Sequence, residues 1–159
     1  MKSIRFVRYG CATLLVTALS LPLQAEVKVE LKANKIVVVN GAEQKQPADK
    51  AKPGEIIEYV AEYRNSAKSP VSNVVATLPV PPGMEYVPDT AAPVQVMAST
   101  DEHNYAPVPL KRSVRGADGK TVEQLVPFSE YRSLRWMLGD LRGDASKSVK
   151  ARMKVKSEK

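Results

Sequence analysis

The sequence predicts an all-β protein, an antiparallel β-sandwich of about seven to nine short strands, and three observations carry that expectation. Apolar residues recur at every second position through much of the chain, the period at which one face of a strand is buried. Turn-forming residues fall between these runs, and no segment holds a helical apolar period for three turns.

In chain order, Val27, Val29 and Leu31 alternate with Lys28 and Glu30, and Ile36 to Val39 form a separate apolar run. Ile57, Tyr59, Ala61 and Tyr63 then alternate with Glu58, Glu62 and Arg64. Shorter candidates follow at 74–78, 84–87, 94–98 and 121–126. Leu134, Trp136 and Leu138 share one face of the next run, and the single Trp136 is expected between the two sheets. In the last run Val149, Ala151, Met153 and Val155 oppose Lys150, Arg152, Lys154 and Lys156. Asn40-Gly41, Pro53-Gly54, Pro82-Gly83, Asp118-Gly119 and Arg142-Gly143-Asp144 supply the reversals. Residues 41–52 and 99–120 do not fit a minimal sandwich and read as long exposed loops. Function tends to sit on such loops, and the second holds His103, Tyr105, Lys111, Arg112 and Arg115.

The first 25 residues stand apart. Lys2, Arg5 and Arg8 precede an apolar stretch from Cys11 to Leu23 and a small Ala25, the plan of a secretory signal peptide cleaved near Ala25. The stretch falls short of the roughly 20 residues that span a bilayer, so no transmembrane segment is expected in the mature chain. Residues 26–157 are expected to form one sandwich domain, periplasmic or secreted. Loss of the three leader cations reduces the 24 Lys and Arg to 21 against 17 Asp and Glu, so the formal charge falls from +7 to +4. The excess that remains lies on the closing segment, which carries Lys147, Lys150, Arg152, Lys154, Lys156 and Lys159. Export, and the absence of aromatic residues among these cations, argue against nucleic acid as a partner.

Several motifs recur in an order with a known counterpart. Pro53-Gly54, Tyr59, Asn65, Asn73-Val74, Leu78-Pro79, Pro82-Gly83 and Tyr86-Val87 are followed by Trp136, Leu138-Gly139 and an alternating closing strand. This pattern resembles the bacterial extracytoplasmic conserved repeat domain family, domain of unknown function 11, here as a single copy. Thr77 stands where the family usually has Asp, and Ser66 where it usually has Gly. The resemblance implies an immunoglobulin-like sandwich used in envelope and surface proteins, and no known catalysis. Some such domains carry a Lys–Asn isopeptide crosslink, for which Lys28 or Lys32 could be considered, but residues 145–159 contain no Asn.

Candidate chemistry is sparse. His103 lies beside Asp101 and Glu102 without the spacing that would aim all three at one ion, so a solvated loop is the simpler expectation. With one His and no Cys after the leader, a Cys–His pair is impossible, and no nucleophile elbow or phosphate loop is present. No enzyme activity, cofactor or metal is expected. Arg142-Gly143-Asp144 matches an adhesion tripeptide but is explained by a turn before the last strand. The expected function is a non-enzymatic module of the bacterial envelope acting by protein–protein or protein–envelope contact. The rival expectation is a periplasmic binding domain for a glycan or anionic polymer. It would use Tyr105, Lys111, Arg112 and Arg115 on the 99–120 loop and the stripe Lys150, Arg152, Lys154 and Lys156. The simpler expectation for the stripe is that lysines on a terminal strand blunt an open sheet edge, and Glu55, Glu58 and Glu62 on another strand would neutralise it if the two strands pair.

Overall fold

The computed structural model describes residues 27–48, 50–116 and 119–157, so the expected signal peptide lies outside the described residues. These residues form β1 (Val27–Val39), β2 (Ala42–Pro47), β3 (Ile56–Asn65), β4 (Val71–Pro79), β5 (Met84–Tyr86) and β6 (Met97–Ser99). β7 (Ala106–Pro107), β8 (Lys111–Arg115), β9 (Thr121–Leu125), β10 (Ser133–Leu141) and β11 (Ser146–Val155) follow. The fold is all-β and antiparallel, with eleven strands rather than about seven to nine. One sheet runs β2-β1-β3-β11-β5, a second runs β4-β10-β6-β7, and β8 pairs with β9 alone. No described helix is long and apolar enough to cross a membrane.

The alternating residues build the core. Ala61 and Tyr63 of β3 and Val149, Ala151 and Met153 of β11 meet Val74, Ala76 and Leu78 of β4 and Leu134 and Trp136 of β10. Trp136 is 1% exposed and its indole N–H donates to the Pro93 carbonyl at 2.8 Å, so its burial leaves no polar atom unpaired. The chain changes sheet between β3 and β4 and again between β10 and β11. Because β3 pairs with β11 and β4 with β10, the two crossings lie at one corner. There the buried Asn65 amide donates to the carbonyls of Ser69, Leu141 and Arg142 and accepts the Ala67 N–H. Tyr63 reaches across from the first sheet, and its hydroxyl engages both the N–H and the C=O of Thr77 on β4.

Several expectations are corrected. Residues 41–52 are not a continuous loop, since β2 occupies six of them. Asn40 and Gly41, with φ of 53° and 78°, make the two-residue turn that folds β2 back onto β1. Polarity hid this strand because all its residues are exposed. The 27–31 and 36–39 runs are one strand, β1. The 99–120 segment contains β7 and β8, the latter one arm of the β8–β9 hairpin. Only Met97 and Ala98 of the 94–98 run enter a strand. Val29 and Leu31, expected on a buried face, are 56% and 53% exposed, whereas Val27 on the same face packs against the core.

Candidate interaction surface

Two groups of cations were expected to form a binding surface, and the fold gives most of them partners within the chain. On the 99–120 segment, Tyr105 lies under the guanidinium of Arg135, 3.4 Å from the ring centroid, and its hydroxyl meets Ser133 Oγ. Lys111 pairs with Glu123 at 3.0 Å, and Arg112 with Glu130 at 2.7 Å. Arg115 donates to the Gly119 carbonyl within its own hairpin. Lys111 and Arg112 border a shallow groove of about 240 Å³ together with Asp101 and Glu130, and neither Tyr105 nor Arg115 lines it. The four residues therefore do not converge.

His103 belongs to a local turn. The Asp101 carboxylate accepts from the Asn104 side chain, from the backbone N–H groups of Asn104 and His103, and from Ser99 Oγ. These donors, the Asn104 amide foremost, hold the Asp101 carboxyl well below the usual carboxylate range. The Asp-Glu-His sequence thus has a structural account as an Asx turn. Among the described residues, no group of three His, Cys, Asp or Glu could hold a metal ion.

β11 lies between β3 and β5, so its cations do not guard an open sheet edge, and of Glu55, Glu58 and Glu62 the structure brings Glu58 to the stripe, while Glu62 stands opposite Ser148 and Glu55 pairs with Lys35. Arg152 pairs in register with Glu58 of β3, and its guanidinium contacts both carboxylate oxygens of Glu43 on β2. Lys45 of β2 closes on Glu58 from the other side. Lys154 stands opposite Glu85 of β5, and Lys156 donates to the Ser129 carbonyl. Glu58 is 3% exposed, and burial pushes its carboxyl up. Lys45, Lys150 and Arg152 outweigh that effect and hold it below its ordinary 4.5. A carboxylate whose folded pKa is depressed contributes stability above its unfolded pKa, and that contribution is lost as pH falls through the folded value. Glu58→Gln is expected to cost about 1–2 kcal/mol at neutral pH, less than a fully buried pair because Lys45 keeps about half its side chain in water. Urea melts from pH 7 to pH 3 should also show a shallower acid decline for the variant; an unchanged acid limb would remove Glu58 from this role.

The exposed apolar residues offer a surface the charges do not. On the outer face of the second sheet, Met137 of β10 stands opposite Val75 of β4, with Val94 close to a groove of about 390 Å³. On the first sheet, β2 covers only residues 34–39 of β1, so the edge at residues 27–33 that faces away from β3 has no neighbour among the described strands. The ladder direction follows from the far side of β3. The Asn65 N–H donates to Ala145 and the Val155 N–H to Glu55, so odd-numbered residues of β3 bond toward β11 and even-numbered ones toward β1. In β1 it is therefore the odd-numbered Val27, Val29, Leu31 and Ala33 whose N–H and C=O groups point out at the open edge. Sequence reasoning missed this edge, although counting back from the Asn40-Gly41 turn, six residues against thirteen, already leaves the start of β1 uncovered. Comparison with protein-family models, curated proteins and solved structures gave no match.

Proposed function

We propose that the protein is a non-enzymatic, exported β-sandwich module of the bacterial envelope, periplasmic or secreted, that works by protein–protein contact through the open edge of β1. The observation that carries this reading is the row of unladdered backbone groups at Val27, Val29 and Leu31 beside the solvent-exposed side chains of Val29 and Leu31. An edge of this kind accepts an added strand: main-chain hydrogen bonds give affinity, and alternate side chains give specificity. The leader-like first segment and the resemblance to an extracytoplasmic repeat family support the location. The polymer-binding alternative draws less support, because Lys111, Arg112 and Arg152 already sit on acidic partners.

A photoreactive residue at Val29 of the exported chain is expected to give a discrete adduct in intact envelopes. The same probe at Gln124, on the exposed face of the β8–β9 hairpin, is expected to give none. Adducts at 124 and none at 29 would move the function away from β1; none at either would remove the contact reading.

A further inference from the structure

We infer that the open edge of β1 pairs with the same edge of a second copy of this chain, as a two-fold antiparallel seam centred on Val29. The inference rests on the contact reading above and names its partner. Three features of the edge select this occupant and this register.

The first is backbone complementarity. The outward N–H and C=O groups of Val27, Val29 and Leu31 would meet Leu31, Val29 and Val27 of the second copy as hydrogen-bonded pairs. A two-fold axis perpendicular to the sheet keeps the same face of both sheets on one side. The exposed Val29 and Leu31 of each copy and the half-buried Val27 then form one apolar strip across the seam.

The second is charge. On the other face, β1 and β3 place like charges directly opposite each other: Lys28 faces Arg64, and Glu30 faces Glu62. Like charges directly opposite each other are less favourable in a sheet than opposite charges, and Lys32 contacts Glu30 at 3.0 Å. In the seam centred on Val29, Lys28 stands next to Glu30 of the second copy and Glu30 next to Lys28 of the second copy. Each row then reads Arg64, Lys28, Glu30, Glu62 across the two chains, with the attractive contact at its middle.

The third is space. A seam centred on Glu30 would set Lys28 against Lys32 and Glu30 against its own counterpart. A seam centred on Leu31 would set Lys28 against Asn34 of the second copy, whose edge Pro47 of β2 already occupies. Centring on Val29 keeps β2 of each copy beyond the paired residues.

Charge reversal tests this without threatening the fold. Glu30→Lys faces Glu62 within its own chain and Lys28→Glu faces Arg64, so neither single variant adds a like-charge pair with the residue opposite it on β3. Each also creates two like-charge contacts across the seam. Sedimentation equilibrium of the purified, processed protein is expected to show a reversible dimer. Either single substitution should weaken it by about tenfold, and the double variant K28E/E30K should restore it. Amide exchange should show Val27, Val29 and Leu31 becoming protected as concentration rises.

A wild-type chain that stays monomeric at every concentration would overturn the inference. So would a dimer indifferent to Glu30→Lys, or one that the double variant does not restore. The probe at Val29 separates the two claims. A monomer whose position 29 still forms a discrete adduct with another envelope protein retains the contact reading and loses self-pairing; a monomer with no adduct loses both.

Discussion

Asn65→Ala is expected to destabilise the fold by about 3 kcal/mol, measured by urea unfolding, although it removes no apolar surface. Asn65 is fully buried, and its amide serves four backbone groups on or beside the β3–β4 and β10–β11 connections: the Ser69, Leu141 and Arg142 carbonyls and the Ala67 N–H. Truncation strands the Leu141 carbonyl in the interior and takes the shared partner from three part-buried groups, and a buried orphan costs roughly 1–3 kcal/mol before water enters to repair it. Asn65→Asp should be nearly as damaging, because a carboxylate cannot donate to three carbonyls. A loss below about 1 kcal/mol for the Ala variant would mean that the corner is held by something other than this amide.

The second large effect is expected at Gly143. A Cβ built there would lie 2.0 Å from the Lys68 carbonyl oxygen and 2.5 Å from its carbonyl carbon, so one of the two connections must move. Gly143→Ala is expected to cost about 2–3 kcal/mol through this backbone overlap, read as a lowered unfolding midpoint. Lys68→Ala, which removes an exposed ion pair with Asp144, should change stability by only a few tenths of a kcal/mol. The reverse ranking would mean that the backbone overlap at Gly143 does not set the cost. Asn65 and Gly143 act on the same pair of connections, so the double variant should cost less than the two single losses added together.

These two residues show how far the sequence could be read. Asn65 and the Gly143 turn were visible as punctuation, because turn chemistry is local, but their meeting depends on two crossings 76 residues or more apart. Trp136 and the alternating residues of β3, β10 and β11 were legible for the same local reason, since one buried face imposes a period of two. The same period misled at Val29 and Leu31: alternation says that one face is apolar and does not say whether another sheet reaches it. β2 escaped because a strand with no buried face leaves no apolar pattern. For the cations, residue type was the visible part and the partner the invisible part. Glu58 and Glu62 were anticipated beside the β11 stripe because both segments alternate. Glu43 became a partner through β2, and Glu123 and Glu130 through the cations of β8, two strands within segments that composition had read as loops.

The hydroxyl of Tyr63 has a consequence for valency. By taking up both the N–H and the C=O of Thr77, it blunts the outer edge of β4, so the second sheet offers little for another strand to continue there. β5 and β7, at the far ends of the two sheets, have three and two residues and are too short to template growth. In a two-fold seam each copy's β1 edge is taken up by its partner's, so pairing there closes on itself as a couple, and the outer edges of β2 and of the β8–β9 hairpin lie outside it.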